Sequence, residues 1–256
     1  MITIAKTIIG FDRKIEIEWL DAVAGCVATG QAPEDVRRFL WTFLEGTVAG
    51  DSVHSGRGKT LTVLSRLWVI VPEQARPLRK AALQCIGSAT SEERVAIHWA
   101  MAIGTYPFFC DVAASVGKLL ALNGEANLSQ VGRRMTESWG DRSTLPRAIQ
   151  RVLRSMVQWG ILRDGPTKGT FVAPAKRTAV SDQIGELLLQ AMLVSHGRGM
   201  PLSQLTGHPA VFPFGIHLSA TAMRKSGCIL IQREGDQSDF IQLGQRSGAA
   251  GHKSKN

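Results

Sequence analysis

Apolar residues recur at three- and four-residue steps over most of this chain, and the spacing shortens to strand-like alternation only in two short stretches. In the first hundred residues every apolar run has helical spacing. Residues 15–28 are amphipathic, and Ala32-Pro33-Glu34-Asp35 opens a helix that reaches about residue 45. A polar, glycine-rich connection over 46–58 leads to a largely apolar helix over 59–71, which Pro72 ends. Another helix follows over 73–87, and Ser91, with Glu93 and Arg94 behind it, is placed to cap a helix over 92–103. No strand pattern interrupts this half, so residues 1–104 are expected to form a small helical bundle.

The next segment has a different order. After the Gly104-Thr105-Tyr106-Pro107 turn, residues 108–122 are apolar at helical spacing and stop at Asn123-Gly124. A second helix, 129–139, stops at Gly140. Thr144 offers an N-cap oxygen to a third helix, and Leu145-Pro146 suits its first turn, where a missing N–H costs nothing. That helix runs to Trp159, and Gly160 ends it. Residues 161–164, a Gly165-Pro166-Thr167-Lys168-Gly169 turn and residues 170–173 then make a hairpin. Three helices followed by a hairpin is the plan of a winged helix-turn-helix, assigned here to residues 105–175. Beyond a short linker the order recurs over 176–243, with an apolar helix at 180–194, one more turn at 202–205, a helix near 218–225 and a second hairpin. The glycine-rich, basic stretch 244–256 is expected to be a disordered tail. The fold class that results is mainly α: an N-terminal helical bundle followed by winged helix-turn-helix modules with short β-hairpin wings.

The chemistry concentrates on the third helix of the first module. Leu145, Ile149, Val152, Leu153, Met156 and Val157 form its apolar face, and Arg147, Gln150, Arg151, Arg154 and Gln158 form the other side, with no carboxylate on the helix. Arginine can grip guanine bidentately, glutamine can grip adenine, and either can hold a phosphate. The formal charge of the chain is +9, and its distribution says more than its total. Between Val131 and Ala179 ten basic residues face three acidic ones, a net of +7 in under a fifth of the chain. A basic patch confined to one module is the electrostatic footprint of a polyanion partner. The residues expected to touch duplex DNA are Arg133, Arg134, Arg142, Thr144, Arg147, Gln150, Arg151, Arg154 and Lys168. The second hairpin carries Glu234, Asp236 and Asp239 against Arg233, which argues for a protein contact there and against a second DNA wing.

Other chemistries find little support. No apolar run approaches the length of a membrane span, and residues 1–10 lack the pattern of a signal peptide, so a cytoplasmic location is expected. Cys26, Cys85, Cys110 and Cys228 are isolated among apolar residues, as buried free thiols would be, and the six histidines have no paired spacing. Neither a metal nor a cofactor is expected. Gly56-Arg57-Gly58-Lys59-Thr60 resembles the end of a phosphate loop, but Val53 stands where that motif needs a glycine and no buried strand precedes it. A non-catalytic phosphate contact by Arg57 and Lys59 fits better. His98 lies on an apolar helix and could pair with Asp111, without a third partner to complete a catalytic set. The tryptophans fall at apolar helical positions and read as core, with Trp159 set to bind the third helix to the wing.

From Trp99 through the second hairpin the chain resembles the BrxA family, small DNA-binding accessory proteins of BREX phage-defence operons. The residues that carry the resemblance are Tyr106-Pro107-Phe108-Phe109-Cys110-Asp111 opening a helix, the three-helix segment behind it, and Phe212-Pro213-Phe214 ahead of a C-terminal helix and hairpin. The resemblance implies a non-enzymatic, helical, DNA-binding protein that works with the other proteins of a defence complex, and it carries no catalytic residues. Two other functions suit the same residues: a winged-helix transcriptional regulator, and an adaptor whose basic helix docks an acidic partner.

Overall fold

The computed structural model describes residues 8–218, 229–234 and 238–244, and it is mainly helical with small sheets. An extended strap over residues 8–16 comes first and buries Phe11 and Ile15. Five helices follow: α1 (Ile17–Ala28), α2 (Pro33–Phe43), α3 (Gly56–Trp68), α4 (Arg76–Ile86) and α5 (Ser91–Thr105). Pro33 sits in the first turn of α2 with Glu34 and Asp35, where its fixed φ and their charges suit the positive end of the helix. The cap of α5 lies one residue before the expected Ser91. Thr90 Oγ1 accepts from the Glu93 amide at 3.2 Å while the Glu93 carboxylate accepts from the Thr90 amide, a reciprocal capping box.

Helix α3 starts three residues before the expected Lys59, and the reason is local. Ser55 Oγ accepts from the Gly58 amide, and the 52–53 backbone lies directly on that first turn. A Cβ on Gly58 would stand 2.3 Å from the Val53 carbonyl oxygen. The glycine that gave this stretch its phosphate-loop look is there for close backbone packing.

Helices α6 (Pro107–Asn123), α7 (Leu128–Trp139) and α8 (Leu145–Gln158) come next, with strands β1 (Ala126–Asn127), β2 (Arg163–Asp164) and β3 (Thr170–Val172). The three strands form an antiparallel sheet in the order β1-β3-β2, with Ala126 opposite Phe171 and Arg163 opposite Val172. A two-residue strand has too few positions to show alternation, which is why β1 is invisible in the sequence.

The remaining elements are β4 (Thr178–Ala179), α9 (Asp182–His196), β5 (Met200–Pro201), α10 (Leu202–Thr206), β6 (Phe214–Gly215), β7 (Ile229–Glu234) and β8 (Ser238–Leu243). Strand β4, at the end of the stretch that the sequence shows only as a linker, pairs in parallel with β6. The last sheet runs β5-β8-β7, the same chain course as β1-β3-β2. The likeness extends to residues. Leu128-Ser129-Gln130-Val131 follows β1, and Leu202-Ser203-Gln204-Leu205 follows β5, with Val131 and Leu205 both fully buried. The helix expected near 218–225, Cys228, the turn at 235–237 and the tail at 245–256 lie outside the described residues.

One continuous buried cluster joins these parts. Helix α9 packs on α5 and α4, and the 3-10 turn Pro209–Val211 packs on α6. Trp99 of α5 is the hinge-pin of the core. Its Nε1 donates to the Ala210 carbonyl at 2.9 Å, and its ring meets Phe109, Trp159, Phe212 and Phe214 edge-on. Phe109, Phe212 and Phe214 of the two aromatic motifs therefore converge on one tryptophan in the core. Among the described residues no helix is long and apolar enough to cross a membrane.

Candidate nucleic-acid interface

Helix α8 buries Leu145, Ala148, Ile149, Val152, Leu153 and Met156, so its amphipathic pattern reads true. Thr144 holds the N-cap position but stays in a helical conformation and makes no side-chain cap, contrary to expectation. At α7 the cap is made: Asn127 Oδ1 accepts from the Ser129 amide at 2.9 Å and from Ser129 Oγ at 2.7 Å. The start of α7, the first half of α8 and the tip of the β2–β3 hairpin enclose a groove of about 680 Å³.

Three of the expected DNA contacts, Arg147, Gln150 and Lys168, line this groove, and no carboxylate lines it. All three are exposed. Ser129 and Gly132 form the α7 wall, and Arg133, four residues after Ser129, is exposed beside it. Arg134 is half-buried, at the edge of the α7 face that buries Val131 and Met135. Arg142 is half-buried in the α7–α8 connection, and Thr144 is exposed next to it. The wall made by Asn127, Ser129 and Gly132 was not singled out from sequence. Asn127 has the signature of an N-cap, but only the pairing of β1 with β3 carries it to the hairpin tip.

The second half of α8 behaves differently from the sequence expectation. Its polar side chains grip the strap and the hairpin. Arg151 Nη1 donates to the Asp12 carbonyl, and Ser155 Oγ accepts from the Ile15 amide at 2.8 Å. Gln158 accepts from the Ile17 amide at 2.7 Å and donates to Glu18 at 2.8 Å. Arg154 pairs with Asp164 of β2 at 2.6 Å. The helix carries no carboxylate, but its neighbours supply two. Trp159, expected to bind the helix to the hairpin, also faces the strap. It donates to the Ile15 carbonyl at 2.9 Å and packs against Phe11, Phe109 and Trp99. Burial of Arg151, then the nearby charge of Arg13, lowers its pKa, and Asp12 opposes that shift.

The other candidates resolve into structural roles. Arg57 is only 5% exposed, pairs with Asp51 and lies 4.8 Å over the Trp41 ring, so it is not placed to meet a phosphate. Trp41 is half-buried, packed against the core on one side and under a cation on the other. Lys59 is exposed. His98 pairs with Asp21 at 3.0 Å, and Asp111 accepts from Trp139 Nε1 at 2.9 Å, so the expected His98–Asp111 pair does not form. Burial pushes the His98 imidazole below its ordinary pKa, with Asp21 pulling the other way. Cys85 and Cys110 are buried and Cys26 is half-buried. Among the described residues no three His, Cys, Asp or Glu side chains gather as a metal site would require. Comparison of the chain with protein-family models, with curated proteins and with solved structures finds no match in any of the three.

Proposed function

We propose that this is a non-enzymatic protein that binds duplex DNA through a winged helix-turn-helix, and that it serves as an accessory factor of a BREX-like phage-defence system. In this reading residues 105–175 are the DNA-binding module, α8 is the recognition helix, and the β2–β3 hairpin is the wing. Residues 176–243 are a second module of the same plan, turned to protein contacts within a defence complex. The observation that carries the reading is the groove in which Arg147 and Gln150 of α8 face Lys168 of the hairpin across the start of α7, with no acid among them. The chain course α6–β1–α7–α8–β2–β3 and the strand order β1-β3-β2 support the winged-helix assignment. So does the burial pattern of α8, which buries Leu145, Ala148 and Ile149 and leaves the Arg147–Gln150 side of its first half open, the half that enters a major groove in such modules.

A titration of labelled duplex with the full chain over a salt series tests the proposal. Neutralising about five phosphates gives a log–log slope of roughly −4 to −5. Absence of binding in low salt, or a slope near zero, refutes the DNA reading. Finding methyltransferase, ATPase and phosphatase-like genes beside its own gene would favour the defence role over that of a transcriptional regulator.

A further inference from the structure

The strap runs along α8 in step with it. Asp12 meets Arg151, Ile15 meets Ser155 and Trp159, and Ile17 meets Gln158. Arg13 is the residue after the one whose carbonyl holds Arg151. It is half-buried, its Nε is enclosed without a hydrogen-bond partner, and no ion pair joins it to a carboxylate among the described residues. The hydrogen-bond acceptor of Arg151 Nη1 is a neutral carbonyl, which orients the guanidinium, and no ion pair joins Arg151 to a carboxylate among the described residues. Arg147, one turn earlier on α8, is exposed at the rim of the groove. We infer that Arg13, Arg147 and Arg151 form a guanidinium clamp for a backbone phosphate of the bound duplex, and that the strap is part of the DNA interface.

The inference rests on the DNA-binding reading. Helical spacing stacks Arg147 and Arg151, the Arg151–Asp12 hydrogen bond sets the strap beside them, and Asp12 is the one acid acting on Arg151. The charged groups that act on Arg151 are Arg13, Arg147 and Asp12, two cations against one acid. An ordinary solvated cation swings into water and away from its neighbours. Arg13 is held by the strap, whose Phe11 and Ile15 are fully buried on either side of it. Such an arrangement opposes folding in the free protein and favours any anion that enters it. Guanidinium suits phosphate because its planar fork donates two parallel hydrogen bonds. A phosphate contact at the strap adds affinity and register, and it reads no sequence.

The experiment compares the full-length wild type with Arg13→Gln, Arg13→Lys and, as a control, Arg37→Gln on the exposed side of α2. Duplex affinity is measured over a salt series, and thermal melting is followed without DNA at low and high salt. Arg13→Gln is expected to weaken binding roughly tenfold at low salt on unrelated duplexes and to make the salt slope shallower by about one unit. Arg13→Lys should keep the slope and lose part of the affinity, and it serves if the glutamine variant folds poorly. Arg37→Gln should match wild type. Without DNA, Arg13→Gln should melt higher than wild type at low salt, and that gain should vanish near 1 M salt, where the screening length is about 3 Å. Wild-type binding with an unchanged Arg13→Gln affinity and slope overturns the clamp. No gain in melting temperature at low salt overturns the like-charge cluster, whether or not DNA binds. Stabilisation of the wild type by inorganic phosphate, with no binding of duplex, assigns the site to a free anion and overturns the backbone-phosphate assignment. Failure of the wild type to bind any duplex refutes the underlying DNA reading separately.

Discussion

Arg147 and Arg154 sit two turns apart on one helix and have different occupations. Arg147 faces an open groove, whereas Arg154 is engaged by Asp164 at 2.6 Å. Arg147→Ala should therefore weaken unrelated duplexes alike and make the salt slope shallower by roughly one unit, as the loss of a phosphate contact does. Arg154→Ala should change affinity little, since an exposed ion pair of this kind contributes at most about 1 kcal/mol to the fold. Equal losses for the two variants in a binding titration would mean that the Arg154–Asp164 pair opens on DNA. Lys168 is exposed at the hairpin tip. Lys168→Ala should weaken two unrelated duplexes alike and reduce the salt slope by roughly one unit. A loss on one duplex alone would show that the tip reads sequence.

Between elements, close backbone approach decides what can be substituted. Helix α6 rides directly on the 3-10 turn that follows α10, and a Cβ on Gly117 would lie 2.1 Å from the Pro209 carbonyl oxygen. The obstacle is backbone, so the helix itself must move. Gly117→Ala should lower stability by about 1–3 kcal/mol, as overpacking of a closed site does. Gly25 of α1 is the contrasting case, because a Cβ there meets nothing within 4 Å. Gly25→Ala should raise stability by about 0.5–1 kcal/mol through helix propensity alone. Denaturant melts of the two variants check both signs, and a neutral Gly117→Ala would show that the α6 contact is soft. The same logic explains Gly58: its sequence neighbours Lys59 and Thr60 suggest nucleotide chemistry, but its lack of a side chain serves the contact of α3 with the preceding loop.

Across the whole molecule, buried and half-buried histidines link distant segments and make stability depend on pH. His208 caps the 3-10 turn by accepting the Ala210 amide on Nδ1 at 3.1 Å, and its ring meets that of His196 at 5.0 Å. Burial, then the neighbouring His196 and Lys118, lowers its pKa to about 4 against a raising pull from Asp111. A proton on Nδ1 would also abolish the cap. Because the folded pKa lies below the unfolded value near 6.5, the unfolded chain takes up the proton first. The His208 contribution is thus complete above about pH 6.5 and is lost as pH falls toward about 4. His98 acts in the same direction. The melting temperature should fall between pH 7 and pH 5, and His208→Asn, which keeps an N-cap acceptor without titrating, should flatten that fall. A variant with the wild-type slope would place the pH dependence elsewhere, with His98 the next group to test.

Helix positions, helix stops and the apolar face of α8 were legible in the chain, because 3.6-residue periodicity, capping residues and glycine stops are local signals. The basic stretch between Val131 and Ala179 was equally plain. Strands β1, β4, β5 and β6 were not, since a two-residue strand is defined by its partner and not by its own pattern. The tertiary structure also decided which cations face outward. Sequence spacing puts Arg147, Arg151 and Arg154 on one side of α8, but it cannot say that the Asp12 carbonyl waits for Arg151 or that Asp164 waits for Arg154. Those partners lie far along the chain or across a hairpin. Whether a charged side chain meets solvent or protein is set by which backbone happens to pass within reach, and only the folded chain contains that information.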